Sequence, residues 1–333
     1  MGYWRASLGR SLAPAPADMK ILYIAGSSRN GGTLLGRMLG ELPGFASVGE
    51  MRQIWSRGCL QDVPCGCHAD FSACPFWTRV GTEAFGGWDG LDLTRTLALR
   101  EKLDRPTSIP LLVTGAGSPR FKDEVREYVG LLGRLYRGIE GVSGAEAIVD
   151  WSKSPSHALL LSKIPGAEVR VVHLVRDSRG VAFSFLRPKR RRGEDRSGKS
   201  GRAGEVRKTP IASSLHWLFT NALPPLMSGP TRPYMRLRYE DLLANPRRVL
   251  EAVIEFAAVR RSDLPFLNDG KVTLGPSHTV WANRMRFKQG EITLRQDDWR
   301  TALPGRTRIE VTAMTLPLLW RFGYVPSPAQ PGP

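Results

Sequence analysis

A glycine-rich segment near the start of the chain has the composition of an anion-binding loop. Residues 26–33 read GSSRNGGT and follow the apolar run 20–25, and apolar residues then recur at helical spacing. A loop that joins a buried strand to a helix directs backbone N–H groups and the positive end of the helix toward one point. We therefore predict an anion site formed by the loop and the first helical residue, that is by Gly26, Ser28, Arg29, Asn30, Gly31, Gly32, Thr33 and Leu34.

The loop departs from the phosphate loop of kinases and ATPases at one position. In the pattern G-x-x-x-x-G-K-[S/T], Gly26, Gly31 and Thr33 match, but Gly32 stands where the lysine belongs. That lysine reaches the β- and γ-phosphates of a nucleoside triphosphate, so its loss argues against a kinase. The cation of this loop is instead Arg29.

A second segment has the features of a phosphate site. In residues 174–184, LVRDSRGVAFS, a strand pattern ends at Arg176 and a helix follows, with Asp177 or Ser178 able to cap it. Arg176 offers a forked, permanently charged donor, and Ser184 adds a hydroxyl from the helix. Taken separately, Arg176 fits a salt bridge at a strand end and Ser184 an ordinary helix surface. Two anion sites, both on turns between a strand and a helix, together favour a nucleotide ligand.

The elements that would position these segments alternate between strands and helices. Apolar runs predict strands at 20–25, 45–48, 146–150, 168–175 and 234–238, and helical periodicity is clearest at 121–137, 211–222 and 247–258. This alternation predicts an α/β fold with a central parallel sheet flanked by helices. Ligands of such sheets bind at the carboxyl ends of the strands, where both anion segments lie.

The remaining segments suggest how the chain is organised. We predict one domain over residues 19–325, preceded by a flexible leader, 1–18, and followed by a proline-rich flexible tail, 326–333. Residues 187–208 hold ten Lys/Arg and three Asp/Glu without apolar periodicity, which predicts a basic mobile loop. This loop supplies +7 of the formal net charge of +17.

In its first loop the sequence resembles the sulfotransferases that use 3′-phosphoadenosine 5′-phosphosulfate (PAPS), in particular their bacterial members. The family's loop reads (Lys/Arg)-Ser-Gly-Thr-Thr and cradles the 5′-phosphosulfate. Arg29, Gly31 and Thr33 match this pattern, whereas Asn30 and Gly32 depart from it and remove two hydroxyl groups.

The second segment extends the resemblance. The family's 3′-phosphate motif is an Arg after a strand and a Ser eight positions later, as Arg176 and Ser184 are here. The resemblance covers residues 19–325 and implies a fold like that of P-loop NTPases. It also implies transfer of a sulfuryl group from PAPS to a hydroxyl of a small molecule, lipid or carbohydrate by in-line displacement, without a required metal.

Later segments are similar to further family motifs. Tyr239, in a Tyr-Glu-Asp segment, corresponds to a tyrosine near the adenine, although a core tyrosine at a strand end explains it equally well. Residues 281–299 resemble the segment from which an arginine reaches back to the nucleotide, and Arg284 and Arg286 are the candidates.

The resemblance also suggests catalytic residues. Arg29 is expected to hold the leaving 5′-phosphate, and Lys153, in an Asp-x-x-Lys-Ser-Pro segment, to approach the sulfuryl oxygens. Cytosolic animal members use a histidine as general base at the position of Pro155. The alternative in the family is a glutamate after the second strand, and residues 47–52, SVGEMR, resemble that segment, so the resemblance makes Glu50 the candidate base. Three of the five histidines bear on this assignment. His157 and His216 are reserve candidates for the base, and His173, inside a strand pattern, is a predicted core residue.

The cysteines are clustered. Cys59, Cys65, Cys67 and Cys74 are spaced x5, x1 and x6, unlike the paired C-x2-C knuckles of a structural zinc site. The spacing favours a packed loop with free thiols over a zinc site. Because residues 1–18 also lack the apolar core of a secretory peptide, we expect a cytoplasmic protein.

Two alternatives to the sulfotransferase hypothesis are considered. A nucleotide kinase would bind ATP with a metal ion, against which the missing lysine argues. A module for nucleic acid or another anionic polymer would explain the charge of +17 but not two nucleotide-like loops, so we expect no nucleic-acid partner. No apolar run is long enough to span a membrane, and the sequence leaves the oligomeric state open.

Overall fold

The computed structural model describes residues 19–186, 208–229, 232–260, 263–268, 270–295 and 298–325. The predicted leader 1–18, the predicted tail 326–333 and all of the predicted basic loop except Lys208 lie outside these residues.

A five-stranded parallel sheet lies at the centre of the fold. Its strands in spatial order are β2 (Phe45–Gly49), β3 (Ala147–Asp150), β1 (Met19–Ala25), β4 (Ala167–Val175) and β5 (Tyr234–Arg238). Strands β2 and β3 lie on one side of β1, whereas β4 and β5 lie on its other side. The strand order therefore reverses between β1 and β4, and the crevice beyond their carboxyl ends is where open α/β sheets bind ligands.

Both faces of the sheet are buried. On β1, Ile21 and Tyr23 belong to one hydrophobic core, and Leu22 and Ile24 belong to the core on the opposite face. All four side chains are fully buried. A strand covered on both faces reads as a continuous apolar run, which is why residues 20–25 show no alternation.

Helices cover the two faces. In chain order they are α1 (Gly32–Leu39), α2 (Pro75–Phe85), α3 (Leu93–Leu103), α4 (Ile109–Thr114), α5 (Pro119–Ser143), α6 (Pro155–Leu161), α7 (Ser178–Leu186), α8 (Pro210–Ala222), α9 (Tyr239–Ala244), α10 (Pro246–Ala257), α11 (Trp299–Ala302) and α12 (Gly305–Arg321). Helices α2, α3, α5 and α6 pack on one face, α1, α9 and α10 pack on the other, and α7, α8 and α12 pack together beside the end of β4.

A small antiparallel sheet follows α10. It consists of β6 (Leu267–Asn268), β7 (Lys271–Leu274) and β8 (Gly290–Thr293). Residues 275–289, between β7 and β8, form an irregular segment that runs past α1 and the end of β2. We call it the late segment, and it backs the candidate site described below.

The predicted fold class and the five predicted strands are confirmed. The predicted helix 121–137 is longer in the structure, where α5 runs from Pro119 to Ser143 and ends at Gly144 in a left-handed conformation with φ of 64°. Helices α8 and α10 also begin within one residue of their predicted starts. None of the helices that the structure describes is both long and apolar enough to cross a lipid bilayer.

Candidate functional site

Five of the predicted sites lie at the carboxyl ends of the parallel strands. The glycine loop follows β1, Glu50 follows β2, Lys153 follows β3, Arg176 follows β4 and Tyr239 follows β5. Because all five strands are parallel, these ends share one edge of the sheet, and the predicted residues are brought to a common side of the molecule.

The glycine loop has the backbone conformation of an anion cradle. Arg29 and Gly31 both adopt left-handed conformations, with φ of 70° and 95°. Gly31 is the N-cap of α1, so no N-cap side chain covers the helix, and no acidic residue lies in its first turn. The N–H groups of Thr33 and Leu34 lie in that first turn, where they have no carbonyl acceptor within the helix. The positive end of α1 is thus open to an anion.

The side chain of Asn30 serves the loop itself. Its amide Nδ2 donates to the carbonyl oxygens of Leu174, at 2.8 Å, and Ala25, at 3.2 Å. Its Oδ1 accepts from the N–H of Gly32 at 2.9 Å. Asn30 therefore ties the loop to the ends of β1 and β4 and uses one loop amide that a phosphate would otherwise meet.

The two predicted phosphate sites are adjacent. The guanidinium of Arg176 donates to the backbone carbonyl of Arg29 at 2.9 Å and lies 4.8 Å from the ring centroid of Tyr239. The Tyr239 ring in turn packs so closely on Gly31 that a Cβ there would overlap it. Arg29, Arg176 and an aromatic face thus meet at the crevice between β1 and β4.

The neighbouring helix α7 adds to this crevice. The guanidinium carbon of Arg29 lies 5.6 Å from the ring centroid of Phe185, and the ammonium of Lys208 lies 5.1 Å from the same ring. Ser184, beside Phe185 on α7, is half-buried. The crevice therefore holds three cationic side chains, those of Arg29, Arg176 and Lys208.

Glu50 and Lys153 form an ion pair. Their Oε1 and Nζ atoms are 2.7 Å apart, and the two side chains are only 23% and 13% exposed. A Cβ on Gly32 would lie 3.3 Å from Cε of Lys153, so the lysine passes directly over the glycine loop. The lysine missing from the loop sequence is thus replaced in space by one from the turn after β3.

Lys153 is held in an uncommon backbone conformation. Its φ is 63°, and this conformation costs a non-glycine residue about 1–3 kcal/mol and persists only where the surroundings impose it. Arg29 is in the same region, so both predicted catalytic cations sit at strained backbone positions. Such strain clusters at functional sites.

A buried network fixes the turn that carries Lys153. Asp104 accepts hydrogen bonds from Ser154 at 2.8 Å, from Ser156 at 2.6 Å and from Nδ1 of His157 at 3.1 Å. The other ring nitrogen, Nε2, lies 3.4 Å from the carboxylate of Asp150. The imidazole thus lies between two carboxylates on either side of the turn.

The network determines the protonation state of His157. Burial disfavours the imidazolium, but Asp104 and Asp150 outweigh it and raise the pKa of His157 to about 9. Burial likewise raises the pKa of Asp104, yet His157 and Arg52 outweigh it and hold this pKa well below its usual value. His157 is therefore a fully buried cation that holds the turn carrying Lys153, and a role as base stays a prediction.

His216 is the other reserve candidate, and it has the properties of a base. Burial, followed by the charges of Lys208 and Lys153, lowers its pKa to about 4, so its imidazole is neutral at pH 7. Its Nε2 is buried and has no hydrogen-bond partner among the described residues. His173, by contrast, is fully buried on β4 between Tyr234 and Asn221, which confirms that it is a core residue.

The two arginines of the late segment differ. Arg286 is buried, and its guanidinium donates to the carbonyl oxygens of Ala282, at 2.5 Å, and Pro64, at 3.4 Å. Burial lowers its pKa to about 10. Arg284 is exposed. The structure therefore gives Arg286 a role in holding the late segment, and a contact of either arginine with a nucleotide stays a prediction.

Two important residues were missed in the sequence. Arg37, on α1, is 1% exposed and donates to four carbonyl oxygens of the late segment, those of Gly275, Met285, Arg286 and Lys288. Asp104 holds the Lys153 turn as described above. Neither lies in a motif, and their partners are 50 or more positions away in the chain, so local patterns carry no signal for them.

The chain is similar to several solved structures. They include the sulfotransferase domain of the Synechococcus PCC 7002 olefin synthase, with 19% identity, a TM-score of 0.46 and coverage of 94% of this chain and 99% of that chain. The sulfotransferase domain of the curacin biosynthetic pathway has 17% identity, a TM-score of 0.45 and coverage of 89% and 96%. A sulfotransferase from Mycobacterium avium has 13% identity, a TM-score of 0.41 and coverage of 92% and 77%.

All three are sulfotransferases, the class that the sequence motifs resemble. No protein-family model and no curated protein matches the chain. Because the similarities are distant, a functional assignment has to rest on the residues of the site.

Proposed function

We propose that the protein is a sulfotransferase that uses PAPS as donor and a hydroxyl group of a small molecule, lipid or carbohydrate as acceptor. The observation that carries the proposal is the meeting of Arg29 and Arg176 at the crevice between β1 and β4, beside the Glu50–Lys153 ion pair. Two separate anion sites next to a carboxylate and a lysine are what sulfuryl transfer from a bisphosphorylated nucleotide requires.

The residues present fit PAPS. The open N-terminus of α1 and Arg29 suit the 5′-phosphosulfate, and Arg176 with Ser184 suit the 3′-phosphate. Tyr239, whose ring contacts Arg176 and Gly31, lies at the same crevice, which fits a position near the adenine. When bound, PAPS supplies an activated sulfuryl group together with its phosphate leaving group.

The chain's own groups have separate tasks. Arg29 and Lys153 hold negative charge, and the positive end of α1 adds to their effect. The carboxylate of Glu50, which lies 2.7 Å from Nζ of Lys153, is the group that accepts the proton of the acceptor hydroxyl. Side-chain cations are sufficient for this role, so the mechanism requires no metal ion.

A nucleotide kinase is the second candidate, and one observation favours it. Lys153 lies over Gly32, so a cation is present where the lysine of a kinase loop would act. ATP with Mg²⁺ is therefore the ligand against which the proposal has to be tested.

The test is a calorimetric titration with 3′,5′-adenosine bisphosphate, the product of PAPS, in parallel with ATP plus Mg²⁺. We expect the bisphosphate to bind more tightly. Replacement of Arg176 by Ala should weaken its binding by about 1.5–3 kcal/mol, the contribution of a charged hydrogen bond, which corresponds to roughly 10- to 150-fold in Kd.

Arg137→Ala is the control, because Arg137 is exposed at the opposite edge of the sheet, where it donates to the carbonyl of Pro165. The affinity of the Arg137→Ala variant for the bisphosphate should equal that of the unmodified protein. Tighter binding of ATP plus Mg²⁺ would refute PAPS as donor, and an unchanged affinity in Arg176→Ala would remove Arg176 from the site.

A further inference from the structure

We propose that Cys65, Cys67, Cys74 and His278 bind one structural zinc ion. One potential ligand atom from each residue, three Sγ atoms and a ring nitrogen, lies within 4.8 Å of all the others. Cys65 and Cys74 are buried, and Cys67 and His278 are half-buried. Three thiolates and one imidazole form a Cys₃His set, one of the ligand sets of structural zinc sites.

The distances between the ligand atoms fit a tetrahedron around zinc. With Zn–S bonds of about 2.3 Å and Zn–N bonds of about 2.0–2.1 Å, tetrahedral geometry requires about 3.8 Å between two sulfurs and about 3.6 Å between sulfur and nitrogen. The observed Sγ–Sγ distances are 3.6 Å for Cys65–Cys74 and 3.7 Å for Cys67–Cys74. Nδ1 of His278 lies 3.3 Å from Sγ of Cys74 and 3.9 Å from Sγ of Cys65.

The same distances argue against a disulfide. A disulfide joins its sulfur atoms at about 2.05 Å, whereas the pairs here are separated by 3.6 Å and 3.7 Å. Moreover, both pairs share Cys74, and the imidazole nitrogen approaches the same sulfur. Convergence of four soft or borderline ligands on one point is the arrangement that zinc binds.

The backbone around the cysteines is already shaped for this role. Cys65 and Cys67 lie in a tight turn in which the N–H of His68 donates to the carbonyl of Cys65 at 2.9 Å and the N–H of Cys65 donates to Ala69 at 2.8 Å. His68 closes the turn in a left-handed conformation, with φ of 73°. Cys74 is the N-cap of α2, so its position is fixed by a helix.

The imidazole of His278 is also held in place. Its ring stacks on Phe76 with 4.9 Å between the centroids and 10° between the planes. Its backbone carbonyl accepts a hydrogen bond from Nε1 of Trp77 at 2.9 Å. The residues next to Cys74 thus orient the ring, and Nδ1 lies near the sulfurs of Cys74 and Cys65.

The position of the cluster explains what the metal would do. The cluster joins the cysteine loop, residues 65–74, to the late segment, which contains His278. That segment is bonded to the end of β2 through Val280, whose N–H donates to Val48 at 3.0 Å, and through Trp281, whose carbonyl accepts from the N–H of Glu50 at 2.9 Å. Four protein ligands leave no open position, so the zinc is structural and stabilises the segment that supports Glu50.

The first experiment measures metal content. The full chain is purified without chelator or added metal, and its metals are quantified by plasma mass spectrometry. We expect about one zinc ion per chain. After dialysis against a chelator, Cys67→Ser and His278→Gln should lose most of their zinc, whereas Cys59→Ser should retain it, because Cys59 lies outside the cluster and provides the matched control.

A second experiment does not depend on whether the variants fold. Stronger chelation of the unmodified protein should release zinc and lower its midpoint of thermal unfolding, and added zinc should restore it. Replacement by Co²⁺ should give the thiolate-to-cobalt charge-transfer bands and the intense visible absorption of a tetrahedral site.

Three results would overturn the proposal. They are a chain without zinc whose four thiols all react in the native state, equal loss of zinc in Cys59→Ser and Cys67→Ser, and an unfolding midpoint that chelation leaves unchanged. None of these measurements involves sulfuryl transfer, so the zinc site stands or falls separately from the proposed function.

Discussion

At the scale of single residues, the proposed function makes Glu50, in its ion pair with Lys153, the group that takes the proton of the acceptor. The 2.7 Å contact holds the carboxylate close to the glycine loop. Removal of the charge by Glu50→Gln preserves the shape of the side chain but eliminates the base. A general base contributes roughly 10²–10⁴-fold, so we expect kcat to fall by about this factor. The affinity for 3′,5′-adenosine bisphosphate should not fall, because the variant removes a negative charge beside Lys153.

His216→Gln is the comparison for this prediction. His216 has a neutral imidazole and a buried Nε2 without a described partner, so it is the competing base. Steady-state kinetics of both variants with PAPS and a hydroxyl acceptor would separate the two. If His216→Gln loses more of kcat than Glu50→Gln, the base is His216.

The sequence could identify residues that act through a local motif. Arg29 and Arg176 follow apolar runs directly, and their meeting follows from the parallel order of β1 and β4. The sequence could not show that the side chain of Asn30 holds the loop in place. The carbonyl oxygen that accepts its 2.8 Å hydrogen bond belongs to Leu174, 144 positions away. The role of Arg286 in holding the late segment likewise has no local signal, because its partner Pro64 is 222 positions away.

At the scale of elements, the turn from β3 to α6 depends on a buried charge. His157, at the start of α6, is held between Asp104 and Asp150, which raise its pKa to about 9 from a usual value of 6.5 although burial opposes this. The bound proton therefore stabilises the folded state. This stabilisation is complete below pH 6.5 and is lost as the pH rises toward 9, and it amounts to on the order of 3 kcal/mol.

We predict that His157→Gln removes this pH dependence. In urea unfolding, the free energy of unfolding of the unmodified protein should fall between pH 6.5 and about 9 relative to that of the variant. His173→Gln is the matched control, because burial lowers the pKa of His173 to about 4 and its contribution is therefore lost below pH 6.5 instead. An identical pH dependence in His157→Gln and the unmodified protein would show that His157 is not a buried cation.

Elements were predictable to different degrees. The strands β1 and β4 were readable because burial on both faces makes them continuous apolar runs. The late segment was not, since its course is set by Arg37 and by contacts with β2, which leave no periodicity. The spacing of the cysteines alone could not indicate the proposed zinc site for a related reason. Its fourth proposed ligand, His278, is 204 positions after Cys74.

At the scale of the whole molecule, part of the positive charge of the chain, whose formal net charge is +17, lies at the candidate site. Arg29, Lys153 and Arg176 lie at the carboxyl edge of the sheet, and Lys208, the last residue of the basic segment 187–208, faces the same Phe185 ring as Arg29. Concentrated positive charge attracts anions over long distances and raises their association rate more than it lowers their dissociation rate.

This field leads to a kinetic prediction for 3′,5′-adenosine bisphosphate. In stopped-flow measurements, its association rate constant should fall steeply with rising salt, whereas its dissociation rate constant should change little. Replacement of Arg190, Arg191 and Arg192 by Ser removes three of the positive charges of the basic segment and should lower both the association rate and its salt dependence. Replacement of Arg137, Lys163 and Arg260 removes the same charge near the amino ends of β3 and β4 and should have a smaller effect. If the association rate constant falls equally in the two triple variants, the total charge of the protein determines the rate, and the position of the charge near the site does not.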